Sequence, residues 1–242
     1  MRFYRLGLLA LLTVALPTGS SASMFDDILG ALSGGSGGSG SLSNTDITAG
    51  LKEALEKGTS RTVHQIGTLD GYWKNPHIRI PLPDSLQRPA AILRKAGYGK
   101  YADDLELRLN RAAETAVPLA KPIFLKAIKE MTFADVKEIW KGPDDAATRY
   151  FERKTTGDLT GAFTPLVHKE LEKSGAVHSW RSFSSKYASI PFIGGYLKDD
   201  LDAYATRMAL QGMFTILAGE EAKIRHDPAA RTTELLRKVF GR

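Results

Sequence analysis

From residue 44 to residue 240 apolar side chains recur at intervals of three and four, the spacing that lines one face of an α-helix. Only Ile78-Arg79-Ile80 alternates, too briefly for more than a short extended segment. Asn44-Thr45 cap a first helix with Ile47, Leu51 and Leu55 on one face, running to Ile66. Residues 67–83 are irregular, with Asp70-Gly71 and Asn75-Pro76 as turn signals before Pro81 and Pro83. A helix over 85–96 ends at Gly97. The stretch 101–130 carries Leu105, Leu109, Ala112, Ala116, Ile123 and Ala127 as one stripe, and Pro118 and Pro122 kink it or split it in two. Thr132 caps residues 133–140, where Phe133, Val136 and Trp140 share a face, and Gly142-Pro143 stops the helix.

A helical region follows over 144–173, with breaks expected near 155–161 and at Pro165. Gly175 separates it from a helix over 177–188, and 191–195 reads as a loop. Residues 199–225 are the most apolar segment: Ala205, Met208, Leu210, Met213, Phe214, Ile216 and Leu217 occupy most of the circumference, which places the helix centrally. Asp227-Pro228 is a cap and first-turn pair for a last helix, with Leu235, Leu236, Val239 and Phe240 inward and Arg231, Arg237 and Lys238 outward. The expected fold is all-α, a multi-helix bundle with a kinked long helix and an apolar central helix, in a single domain over residues 44–242.

The N-terminal pattern is different. Arg2 and Arg5 precede an apolar run over residues 6–16, followed by Pro17, Gly19 and Ser21-Ala22-Ser23, the layout of a secretory signal peptide over residues 1–23. The run is shorter than the roughly 20 residues a membrane span needs. Residues 24–43 form a linker: an apolar-acidic patch over 25–32, then a glycine-serine tract that reads as flexible coil. The tract spells G-x-S-x-G at Gly34-Gly35-Ser36-Gly37-Gly38, but a nucleophile elbow needs a strand and a helix around it.

Charge and cysteine content narrow the partners. The formal charge of +6 includes Arg2 and Arg5, so the chain from Met24 onward carries +4, interspersed along helix faces. Nucleic-acid binding, which needs clustered cations, is disfavoured. With no cysteine, disulfides, thiolate metal sites and a lipidated N-terminal cysteine are all excluded, so the periplasm of a diderm bacterium, or the medium, is the expected location. No further run is long enough to span a membrane. An envelope protein and a lipid remain as partners.

Several motifs point to a family: Ile80-Pro81-Leu82-Pro83, Gly99-Lys100-Tyr101-Ala102-Asp103-Asp104, Arg111-Ala112-Ala113-Glu114, Lys121-Pro122-Ile123-Phe124, Ala146-Ala147-Thr148 with Tyr150-Phe151, and Asp227-Pro228-Ala229-Ala230-Arg231-Thr232-Thr233. Over roughly residues 44–241 the chain resembles an uncharacterised bacterial family, domain of unknown function 4197. The resemblance implies an exported helical domain and no established activity, and it carries no catalytic residues with it.

Residue chemistry offers binding candidates and no catalytic, metal or cofactor set. No histidine has a glutamate three residues earlier, so the di-metal bundle signature is missing, and His168 with Glu172 reads as a surface pair. Asp199, Asp200 and Asp202 with Tyr204, or Glu220 with Glu221, would serve as general acid and base if they converged in a cleft, although acids at a helix start also complement its dipole. No phosphate-cradling glycine loop is present.

The irregular segment 67–83 is the first binding candidate: it holds Tyr72, Trp73, Asn75, His77 and Arg79, types enriched at interaction hot spots. Equally, Tyr72 and Trp73 cap a core and the prolines brace a crossover. The second candidate is Arg149, Tyr150, Arg153 and Lys154, a basic-aromatic face for an anionic ligand, unless Tyr150 and Phe151 are core and the cations simply solvated. Arg225, Asp227 and Arg231 read as an ion network at a helix end. The functional expectation is a periplasmic binding protein without catalysis. The alternatives are a carrier of a lipid or other apolar ligand between helices, lined by the Met-bearing central helix, and a carboxylate-dependent hydrolase.

Overall fold

The computed structural model describes residues 43–175, 177–179 and 201–240. The expected signal peptide, linker residues 24–42, most of the helix over 177–188, the loop at 191–195 and Asp199 with Asp200 lie outside them. Thr45–Arg242 make up one unit. The described residues form α1 (Asn44–Ile66), α2 (Asp84–Lys95), α3 (Lys100–Ala116), α4 (Ala120–Glu130), α5 (Phe133–Lys141), α6 (Ala146–Lys173), α7 (Leu201–His226) and α8 (Glu234–Phe240), with short 3-10 turns at Val117–Leu119 and Pro228–Ala230. Among the described residues there is no strand, so the fold is an all-α bundle.

Two helix boundaries follow directly from local chemistry. Pro118 lacks an N–H to continue α3, so the chain takes a 3-10 turn and restarts as α4. Thr132 forms a reciprocal capping box with Asp135, which starts α5 where the sequence places it.

Two expectations need correction. The region 146–173 has no break: α6 runs unbroken through Gly157, Gly161 and Pro165. Ala147, Phe151, Thr155, Leu159, Phe163, Val167 and Leu171 are all buried, at a strict spacing of four. Each such step turns the row by about 40° around the axis, so the stripe winds along α6, which packs on α3, α4 and α7. That burial outweighs the roughly 1 kcal/mol each glycine costs, and the carbonyl that Pro165 leaves unpaired faces water on an exposed turn.

The last helix starts at Glu234, and not at Pro228. Asp227 does cap Ala229 at 2.8 Å, yet the turn it opens is 3-10 and stops after three residues. Arg231 points back, donating to the carbonyls of Ile224 and Arg225 at the end of α7, so it clamps that terminus where solvation was expected. The expected pairing with Asp227 gives way to these carbonyl contacts, and Thr233 then caps α8 through the Leu236 N–H.

The core sits where α7 crosses α6 and α3. Phe124 packs edge-on against Phe151 at 5.0 Å and Phe214 at 6.3 Å between ring centres. Ala54 of α1 and Leu236 of α8 close over Ile224 at the far end of α7. The central helix keeps one wet face, however: Ala203, Arg207, Gln211, Thr215 and Gly219, four apart, stay exposed. Among the described residues no helix is long and apolar enough to cross a membrane.

Candidate functional site

Segment 67–83 is held by three buried polar anchors supplied by α3 and α7. Glu114, 4% exposed, accepts the backbone N–H groups of Tyr72 and Trp73, each at 3.0 Å. Its other oxygen takes Arg111 at 2.6 Å, and Arg111 reaches on to Asp70 at 2.6 Å. Asn110 pairs with both backbone groups of Ile80 at 2.8 Å, as a neighbouring strand would. Tyr72 is fully buried and donates its hydroxyl to the Ala209 carbonyl at 2.7 Å. Burial, and then the charge of Glu114, push its phenol upward. The ring fits because α7 presents Gly212: a Cβ there would lie 2.8 Å from the Tyr72 ring.

The candidate residues of this segment therefore separate. Tyr72 faces the core, and Asn75 turns its side-chain oxygen to the His77 N–H at 3.1 Å. Trp73 and Arg79 come together, the guanidinium 3.8 Å above the indole and paired with Glu106 at 3.0 Å. His77 is exposed.

On α6 the second set is tied to neighbouring acids. Arg149 pairs with Asp145 at 2.9 Å and Arg153 with Glu138 at 3.1 Å, while Lys154 is exposed. Tyr150, 3% exposed, donates to the Ala127 carbonyl.

Those carboxylates raised by the sequence that lie among the described residues are engaged in structure. Glu221, on α7, accepts Ala147 N–H at 3.0 Å, Thr148 N–H at 2.9 Å and the Thr148 hydroxyl at 3.0 Å, so it caps α6 from across the interface. Arg225 completes its partners at 2.8 Å. Glu220 pairs with Lys223. Asp202 holds Nδ1 of His168 at 2.6 Å, and Glu172 lies 3.3 Å from Nε2, which joins α6 to α7. Among the described residues no group of three or more His, Asp or Glu gathers as metal ligands.

Two grooves run beside the wet face of α7 and meet at Ala203 and Arg207. The wider, about 700 Å³, lies between α7 and the start of α2, walled by Pro81, Pro83, Asp84, Ser85, Tyr204 and Met208. The narrower, about 400 Å³, lies between α6 and α7, walled by Glu152, Thr156, Thr160 and Thr164 on one side and by Thr206, Leu210 and Phe214 on the other. Both fall in the size range of small-molecule sites.

Local chemistry makes the narrow groove apolar despite its threonines. Thr156 donates to the Glu152 carbonyl at 2.6 Å and Thr164 to the Thr160 carbonyl at 2.9 Å, which uses up their hydroxyls. Thr206, 2% exposed, has a buried hydroxyl with no hydrogen-bond partner. Tyr204 is tied to the Pro81 carbonyl at 2.9 Å, and burial, then Asp84, push its phenol upward.

A family described as a protein of unknown function, DUF4197, matches residues 41–241. The chain belongs to the DUF4197 family. No curated protein and no solved structure matches it.

Sequence reading of this DUF4197 chain missed the groove because it took Thr155 to Gly161 as a break. Thr156, Gly157, Thr160, Gly161 and Thr164 instead form a smooth outward face of a continuous helix. The signal was there in the four-residue spacing of threonines. The Met residues of α7 divide: Met213 is fully buried in the core, and Met208 lines the wider groove.

Proposed function

We propose that this is an exported, periplasmic binding protein that acts by contact, and that it takes an apolar ligand into the groove between α6 and α7. The carrying observation is the groove itself: about 400 Å³ walled by Leu210, Phe214 and a row of threonines, of which Thr156 and Thr164 give their hydroxyl protons to helix carbonyls. Supporting it, the buried carboxylates of the bundle are engaged by backbone N–H groups and guanidinium groups that hold helices together. Such groups are committed to the fold.

The test is native mass spectrometry of the full chain, as purified and after exposure to a mixture of fatty acids and monoacylglycerols. Wild type is expected to carry a bound species, and Thr160→Trp, which fills the groove from an exposed helix position, is expected to lose it while keeping its helical signal. A wild-type protein that takes up nothing overturns the proposal.

A second reading is favoured by Leu69, which is 75% exposed within the anchored segment 67–83. An isolated apolar side chain on a rigidly anchored turn suits contact with an envelope protein. Capture of one defined envelope protein, lost in Leu69→Lys with the fold intact, would establish that reading.

A further inference from the structure

Resting on the groove reading above, we propose that the ligand is a single-chain amphiphile with an anionic head, held at Arg207 with its chain laid between α6 and Phe214. The wall of the groove selects the kind of chain. Except for the carbonyl that Pro165 leaves unpaired, mid-helix backbone groups of α6 and α7 are bonded within their own helices, and the hydroxyls of Thr156 and Thr164 are bonded to carbonyls. An extended peptide would find almost no backbone partner on either wall for its N–H and C=O groups. An alkyl chain has no such groups. The residues from Arg207 to Phe214 give it a track of about 10 Å along α7.

One end of that track is polar. Arg207 is exposed, and its contact among the described residues is the face of Tyr204, 5.6 Å from the guanidinium carbon to the ring centre. A cation–π contact at that range is weak and leaves the N–H donors of the guanidinium for an anion. Beside it lies the one groove residue with a buried, unpartnered hydroxyl, Thr206. A ligand oxygen in the groove here faces Arg207, while the Thr206 hydroxyl is closed off from solvent and takes no part in the contact. Two acids set the direction. Glu152 stands at the opposite end of the narrow groove and repels an anionic head there, and Asp84, occupied by Gln87 at 3.0 Å, stands across the wider groove. A carboxylate or a phosphate meets these demands equally.

The test uses the delipidated full chain and calorimetry with five probes: dodecanoate, the lysophosphatidylglycerol with the same acyl chain, the neutral monododecanoylglycerol, acetate and inorganic phosphate. At least one anionic amphiphile should bind at least about tenfold more tightly than the neutral one. Preference for dodecanoate assigns a free carboxylate, and preference for the lysophospholipid assigns a phosphate head. Arg207→Gln, at an exposed position, should bring the anionic ligands to the affinity of the neutral one and change the latter by less than about twofold. Equal binding of neutral and anionic chains, unaffected by Arg207→Gln, overturns the head-group assignment and leaves the groove reading standing. Acetate or phosphate binding as tightly as the amphiphiles overturns it in favour of a simple anion site. No binding of any chain overturns both readings.

Discussion

Replacing Glu221 by Gln removes one charge from the contact that fastens the two walls of the groove together. The carboxylate is 7% exposed and its partner Arg225 12% exposed, so neither is well screened by water. Glu221 receives the first N–H groups of α6 at 3.0 and 2.9 Å and the Thr148 hydroxyl at 3.0 Å. In Glu221→Gln one acceptor oxygen becomes an NH₂ group. In either rotamer that group meets donors: the Thr148 N–H and hydroxyl, or the Ala147 N–H and Arg225. Breaking a buried charged pair costs about 3–5 kcal/mol, against about 0–1 kcal/mol for an exposed pair. For a domain of this size that lowers Tm by about 6–20 °C. Asp145 is the contrast: it precedes α6, makes no side-chain cap and pairs only with the exposed Arg149. Asp145→Asn should cost less than about 1 kcal/mol. Urea unfolding followed by far-ultraviolet circular dichroism gives both values. A Glu221→Gln protein within about 1 kcal/mol of wild type would refute the claim that α7 supplies the cap of α6.

Three further outcomes are expected. Gly212→Ala places a methyl group 2.8 Å from the Tyr72 ring and 3.1 Å from Ile78, and should destabilise by about 1–3 kcal/mol in the same urea assay; an unchanged midpoint would contradict the close packing of segment 67–83 on α7. Thr206→Val removes a buried hydroxyl that has no partner and should raise stability by about 1 kcal/mol, so a destabilised variant would show that the hydroxyl is satisfied. Acid should unfold the protein in part through Asp70, which side-chain hydrogen bonds from Lys74 and Arg111 hold below its ordinary value of 3.8, and Asp135, held down by the Thr132 hydroxyl and N–H. Because both values are lower in the folded state, their contribution is complete above the ordinary value and disappears as pH falls below it. Asp70→Asn, tolerated at a backbone φ of 71°, should therefore show a shallower loss of stability below about pH 4, and an identical pH profile would contradict it.

Sequence periodicity was enough for the helices that bury a straight stripe and end on local signals: α1, the split of α3 from α4 at Pro118, and the Thr132 start of α5. It failed where the decisive partner is distant. The spiral stripe of α6 looks polar and broken in sequence because its inward row includes Thr155 and drifts around the axis, and its cap comes from Glu221, 74 residues from Ala147. Likewise the inward orientation of Tyr72 depends on Glu114, Ala209 and Gly212, none of which is near it in the chain. The candidate site was the least legible part, since a groove is a relation between two helices. Arg207 and Thr206 look unremarkable until α6 is laid alongside them.

The central claim, that ligand contact occurs between α6 and α7, is tested most directly by methyl NMR of the full chain with labelled threonine and leucine, titrated with dodecanoate. The account predicts shifts at Thr160, Thr206 and Leu210 with Leu69 unmoved. Shifts confined to Leu69 and its neighbours in segment 67–83, or none at saturating dodecanoate, would contradict it.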